Sequence, residues 1–106
     1  MNVPARFLPH TVSVRDLVAG GGMGGGHATP RDVPSWVVDE QKVVRDPNGE
    51  EVVSSTQVSV DIDETIPIGS LVTVWVGDPS EREAKVIAIT TLRHDRLPSH
   101  HVLHLI

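Results

Sequence analysis

The second half of the stretch Glu51 to Asp63 alternates without interruption, with Val58, Val60 and Ile62 on one side and Ser59, Asp61 and Asp63 on the other. Successive side chains of an extended chain point to opposite faces, so this period of two specifies a strand with one face in a core and the other in water. The same rhythm recurs. Val12, Val14 and Val18 punctuate a first strand from His10 to Val18, and Trp36, Val37 and Val38 form the apolar centre of a second from Val33 to Val44. The polar run Asp39-Glu40-Gln41-Lys42 predicts a bend or bulge there. After the long return strand, Leu71 to Val76 reads as a fourth, with Val72, Val74 and Val76 as its core face and Leu71, Thr73 and Trp75 opposite. Glu83 to Leu92 and His100 to Ile106 supply a fifth and a sixth.

Turn chemistry separates these strands. In Arg45-Asp46-Pro47-Asn48-Gly49-Glu50, Pro47 presets φ for a turn and Asn48-Gly49 can take the positive φ that a tight hairpin needs, so residues 43–52 read as a hairpin tip. Thr65 to Ser70, Gly77 to Arg82 and Arg93 to Ser99 mark three further turns. Residues 19–34 hold six glycines around Met23. With so few Cβ atoms the backbone has little conformational preference, and about sixteen residues fully extended reach roughly 50 Å at ~3.3 Å each. A flexible glycine-rich loop is expected. Six short strands with frequent turns predict an all-β fold, a small six-stranded SH3-like or OB-like barrel with a long loop and an extended hairpin, in one domain over residues 1–106.

Composition fixes what such a barrel is made of. Aromatic residues are only 3% of the 106, with two Trp, one Phe and no Tyr, so the core is aliphatic and mainly valine. β-Branched side chains suit a pleated surface, and long helices are not expected. No cysteine is present, which removes disulfides and thiolate chemistry. No apolar run approaches the ~18 residues of a membrane span, and the first residues lack a basic flank before an apolar run, so a soluble, untargeted protein without membrane partners is expected. A net charge of -5 argues against tight DNA binding through a basic patch.

Several motifs invite chemistry and do not sustain it. Gly20 to Gly25 contains G-x-G-x-x-G, but Thr29-Pro30 and Val33-Pro34 follow where a nucleotide site needs a helix. His100 and His104 share a strand face about 13 Å apart at ~3.3 Å per residue, with His101 opposite, too far to share an ion. Asp61 and Asp63, followed by Glu64, lack a matching nucleophile or oxyanion site, and Ser99 lacks the flanking glycines of a nucleophile elbow. No catalytic residue, no metal site and no cofactor are therefore assigned. Trp36 and Trp75 read as packing or subunit-interface anchors, and Arg45, Arg93 and Arg96 as partners for acidic groups on adjacent subunits or rings or, equally, as plain solvated surface charge.

The order of signals resembles a known family. Arg6-Phe7-Leu8-Pro9-His10-Thr11-Val12 opens the first strand, and a variable loop leads to Val33-Pro34-Ser35-Trp36-Val37-Val38-Asp39. Val44-Arg45-Asp46-Pro47-Asn48-Gly49-Glu50-Glu51-Val52 makes the hairpin. Ile66-Pro67-Ile68-Gly69-Ser70-Leu71-Val72-Thr73 introduces the fourth strand, and Leu97-Pro98-Ser99-His100-His101-Val102 enters the last. Together these resemble the head-to-tail stopper proteins, the head-closure or neck connectors of long-tailed phages infecting actinobacteria, over nearly the whole chain.

That resemblance implies a structural virion protein, not an enzyme, assembled in the host cytoplasm and located in the neck. It implies a homo-oligomeric ring of about twelve or six copies. An adaptor ring would lie above and a tail terminator or tail-joining protein below. Genomic double-stranded DNA would pass through the lumen without sequence-specific binding, and the ring would close that channel after packaging and dock the tail. An acidic lumen repels phosphate within about 10 Å, so closure would be steric, by a segment that changes arrangement. Gly20, Gly22, Met23, Gly25 and His27 in the loop, or Arg45, Asp46, Asn48 and Gly49 at the tip, are the candidates for gating or inter-ring contact. Trp36, Trp75, Arg93 and Arg96 are the candidates for the subunit interface. The reading in a different class is a monomeric SH3-like or OB-like binding module; another virion component, such as a tail-completion protein, is a third.

Overall fold

Alternation is what closes this chain on itself. In a computed structural model describing residues 7–18, 26–93 and 99–106, the chain forms strands β1 (His10–Arg15), β2 (Leu17–Val18), β3 (Gly26–His27), β4 (Arg31–Val38) and β5 (Lys42–Arg45). These are followed by β6 (Glu51–Ser54), β7 (Thr56–Asp61), β8 (Leu71–Val74), β9 (Arg82–Leu92) and β10 (His100–Leu105). The fold is all-β. Six strands make a closed barrel in the order β1-β4-β7-β10-β9-β8, and every pairing is antiparallel. The barrel is thus two three-stranded meanders joined along β7 with β10 and β8 with β1.

Each strand sends alternate side chains inward. Val12 and Val14 of β1, Val33 and Val37 of β4, Val58 and Val60 of β7, Val72 and Val74 of β8, Ala84 and Val86 of β9, and Leu103 and Leu105 of β10 form one buried cluster. Ile66, from the connection before β8, joins it. A small barrel has room for little beyond such side chains, so the interior is a packed core and not a channel. Ser35 is the polar exception on β4, fully buried with its hydroxyl unpartnered.

The structure shortens several expected strands. The first ends at Arg15, and Asp16 turns the chain so that Leu17 and Val18 pair with His27 and Gly26. β4 begins at Arg31, opposite Val14, so Arg31 and Asp32, expected in the loop before the strand at Val33, are part of the barrel wall. The second and return strands break at Asp39–Gln41 and at Ser55, which separates the β5–β6 hairpin from the wall. The bend expected at Asp39 to Lys42 is therefore real, and it is matched by one on the return side. Ile62 and Asp63 lie in a turn beyond β7. β8 stops at Val74 because Trp75 takes φ 57 and Gly77 φ 82; Val76, expected in the core, is 53% exposed.

The pairings place the two appendages at opposite ends. At one end lie His10, the end of β4, the whole β5–β6 hairpin, the Trp75–Glu81 turn and the end of β10. At the other lie Arg15, the β2–β3 ribbon, the start of β4 and the Ile62–Ser70 connection. The first is the arm end and the second the loop end.

Candidate functional site

At the loop end the chain clasps the base of its own glycine-rich segment. Leu17 donates its backbone N–H to Ser70 Oγ at 2.9 Å, and Ala28 donates to Asp16 O at 2.8 Å. His27 Nε2 lies 3.1 Å from Gly69 O. Gly69 has φ 97, a conformation that L-side chains rarely adopt, and its α-carbon lies against Leu17. Arg31 locks the same end. Its Nε donates to Asp16 Oδ2 at 2.8 Å and its Nη1 to Glu64 Oε2 at 2.7 Å. These charge-assisted bonds, that with Asp16 foremost, push the guanidinium further above its already high pKa. Glu64 is thereby committed to Arg31, and Asp61, at the end of β7, accepts Glu64 N–H at its backbone oxygen. The carboxylates of this stretch shape a turn.

At the arm end Asp39 is the organiser. Its Oδ2 accepts from Trp75 Nε1 at 3.0 Å and its Oδ1 from Thr56 Oγ1 at 2.8 Å. Arg82 donates to Ser55 Oγ at 3.1 Å and also to Thr56 Oγ1. His10 meets the Trp75 ring edge-on at a centroid distance of 5.0 Å and accepts Val37 N–H at Nδ1, 3.0 Å away. The indole therefore lids this barrel mouth while its N–H is satisfied, as a half-buried Trp requires.

The hairpin beyond this mouth, the arm, is internally well formed. Asp46 Oδ1 accepts from the backbone N–H of Asn48 and of Glu50, both at 2.9 Å, Gly49 takes φ 81, and Arg45 Nη1 donates to Gly49 O at 2.8 Å. Arg45 also approaches Glu51 at 3.7 Å. On the ribbon itself Val43 and Val53 are cross-strand partners and both exposed, at 66% and 53%. Val44 and Val52 form the adjacent pair on the other face.

Of the residues singled out from the sequence, Gly20, Gly22, Met23, Gly25 and Arg96 lie outside the described residues. His27 sits in the loop-end clasp, while Arg45, Asp46, Asn48 and Gly49 together build the arm tip at the opposite end. Trp36 projects from the outer face of β4 at 53% exposure, and Arg93 is exposed just beyond β9. Trp75 does not join them; it packs against the barrel core. The β10 histidines diverge. His101 Nδ1 lies 2.8 Å from Thr91 Oγ1 and its Nε2 3.1 Å from Ile62 O, whereas His104 Nε2 lies 2.9 Å from Thr90 Oγ1 on the other face. Among the described residues no three His, Cys, Asp or Glu side chains group as metal ligands.

Sequence reasoning missed Asp39, Arg31 and the Ser70–Leu17 contact. Each joins residues far apart in the chain, for which local alternation carries no signal. No family model, no curated protein and no solved structure matches this chain.

Proposed function

We propose that this chain is a structural protein of a phage neck, a head-to-tail stopper that works as one member of a ring, with an adaptor ring above it and the tail-joining protein below. The order of motifs along the chain motivates the reading. The observation that carries it is the placement of two appendages at opposite ends of a filled barrel. A link in a stack of rings needs a rigid body for lateral contact and separate extensions toward the ring on either side. Here the body is the six-stranded barrel, one extension is the arm and the other is the clasped base of the glycine-rich segment. Because side chains fill the barrel, any conduit for DNA runs between copies. Trp36, exposed on the barrel's outer face, is the lateral anchor of this reading, since large aromatics dominate interface energetics.

The test is assembly. The purified chain is mixed with the adaptor ring, and the mixture is followed by native mass spectrometry and negative-stain imaging. The partner belongs in the assay because a stopper can be monomeric until it docks. Rings of this chain stacked on the adaptor are expected. A chain that stays monomeric and ignores the adaptor would instead be a monomeric binding module.

A further inference from the structure

The outer wall of a barrel faces solvent, yet three outward positions here are buried. Gln57 is 5% exposed, Ile87 8% and His104 8%. Gln57 and His104 are direct cross-strand partners on β7 and β10, and Ala88 of β9 lies on the other side of His104. What covers them is the base of the arm. Gln57 Nε2 donates to Glu40 O at 2.9 Å and to Ser54 Oγ at 3.2 Å, and Ser54 Oγ itself donates to Leu105 O at 2.7 Å. Lys42, the first residue of β5, bears on His104 electrostatically. The chain breaks at Asp39–Gln41 and at Ser55 flank this contact as a pair of hinges.

Within the covered layer two polar atoms, His104 Nδ1 and Gln57 Oε1, are buried without a hydrogen-bond partner. Only Nε2 of the imidazole is engaged, by Thr90 Oγ1. A neutral ring tolerates that arrangement at modest cost. An imidazolium has two N–H groups to satisfy, and in this arrangement the second has no partner: Nδ1 and Gln57 Oε1 do not bond to each other, and the Gln57 amide is fixed by its nitrogen on Glu40 and Ser54.

We infer that the arm base is a proton-sensitive latch: neutral His104 keeps residues 39–42 and Ser54 on the outer wall, and its protonation releases the arm. The groups around the imidazole favour this. Gln57 on β7 and Thr90 and Ala88 on β9 are uncharged and offer an imidazolium no countercharge. On β10 itself His100 points to the same outer side, four residues away. The arm contributes Lys42, whose ammonium lies 4.0 Å from Glu40, so a charge on His104 pushes against the element that covers it. Burial first, and Lys42 second, hold the His104 pKa below the ordinary histidine value. Closure is therefore favoured above that ordinary value and weakens as pH falls below it. The latch belongs to a single chain and stands whether or not the ring reading does.

Amide hydrogen exchange of the full chain between pH 5 and 7.5, corrected for the intrinsic pH dependence, tests it. Protection at the β5–β6 pairing and across residues 39–55 is expected to fall by up to about tenfold per pH unit below about 6.5, with β1 and β8 better protected throughout and losing no more than the global stability does. His104→Phe should abolish that pH dependence. Lys42→Gln, an exposed change that leaves the fold intact, should reduce the size of the loss. Arm protection that is flat with pH overturns the inference, as does an unaltered pH dependence in either variant.

Discussion

Gly69→Ala tests the loop-end clasp at its most constrained point. Gly69 has φ 97, and a Cβ built there meets Leu17 Cδ2 at 2.9 Å. Two costs follow, and they are separable. Forcing an alanine to a positive φ costs about 1–3 kcal/mol. The contact with Leu17 involves the end of a flexible side chain that is 39% exposed, so rotation relieves it for a fraction of that. A total near 2 kcal/mol corresponds to a fall in melting temperature of roughly 8–16 °C at ~4–8 °C per kcal/mol. Circular dichroism melts of Gly69→Ala, Leu17→Ala and the double variant measure it. The double variant should regain less than about 0.5 kcal/mol relative to additivity, because removing Leu17 relieves the contact and leaves φ where it was. Gly69→Ala that melts with the wild type would refute the assignment of backbone strain. Full rescue by Leu17→Ala would show that the steric contact, not the dihedral, is decisive.

Four further outcomes follow from the same structure. Ser35→Ala removes a fully buried, unpartnered hydroxyl and should raise stability by about 1 kcal/mol in denaturant titration. Arg31→Met breaks the bonds to Asp16 and Glu64; because all three side chains keep 25–38% exposure, the loss should be only about 1–2 kcal/mol and should shrink in high salt. On the proposed ring reading, Trp36→Ser should leave the melting temperature nearly unchanged and weaken lateral association of copies into rings by tenfold or more, measured by sedimentation in the presence of the proposed adaptor. The depressed His104 pKa means that the unfolded chain binds more protons than the folded one below about pH 6.5, so this residue's contribution to stability is complete above that pH and declines as pH falls, which urea midpoints at pH 5 and 7.5 will show.

The barrel was legible because its determinant is local. Val12 and Val14, Val58 and Val60, and Val72 and Val74 announce their face by position alone, and all six are in the core. The hairpin tip was equally legible, since Pro47, Asn48 and Gly49 encode a turn without outside help. Three things were not. Val76 follows the alternation, yet Trp75 leaves the strand conformation to lid the barrel mouth, bonding Asp39 from 36 residues away. Thr29 to Asp32 looked like the continuation of a glycine-rich loop, but pairing with β1 recruits Arg31 and Asp32 into the strand. Nothing in the pattern of β10 marks His104 as buried, and only the folding back of the arm base covers it. In each case a distant partner overrides the local preference, and a period-two pattern contains no record of that partner.

The arm and the clasp share a physical situation that sets how they respond to change. A two-stranded ribbon is marginal in water by itself, so its position is decided by the few contacts that tie it to the barrel. For the arm these are Ser54 on Leu105, Gln57 on Glu40 and the Asp39 bonds to Trp75 and Thr56; for the ribbon at the loop end they are His27 on Gly69 and Leu17 on Ser70. The barrel's stability rests elsewhere, on the valine core. Substitutions at the ties should therefore loosen one appendage by local opening while the barrel melts almost as before. Asp39→Ala sets this apart from a uniform loss of stability. It should raise exchange across residues 39–55, and expose the Trp75 indole to shift its fluorescence to the red, while amides of β1 and β8 keep their protection. Equal loss of protection in barrel and arm would mean that the two form one cooperative unit, and that the appendages cannot move without unfolding the body that carries them.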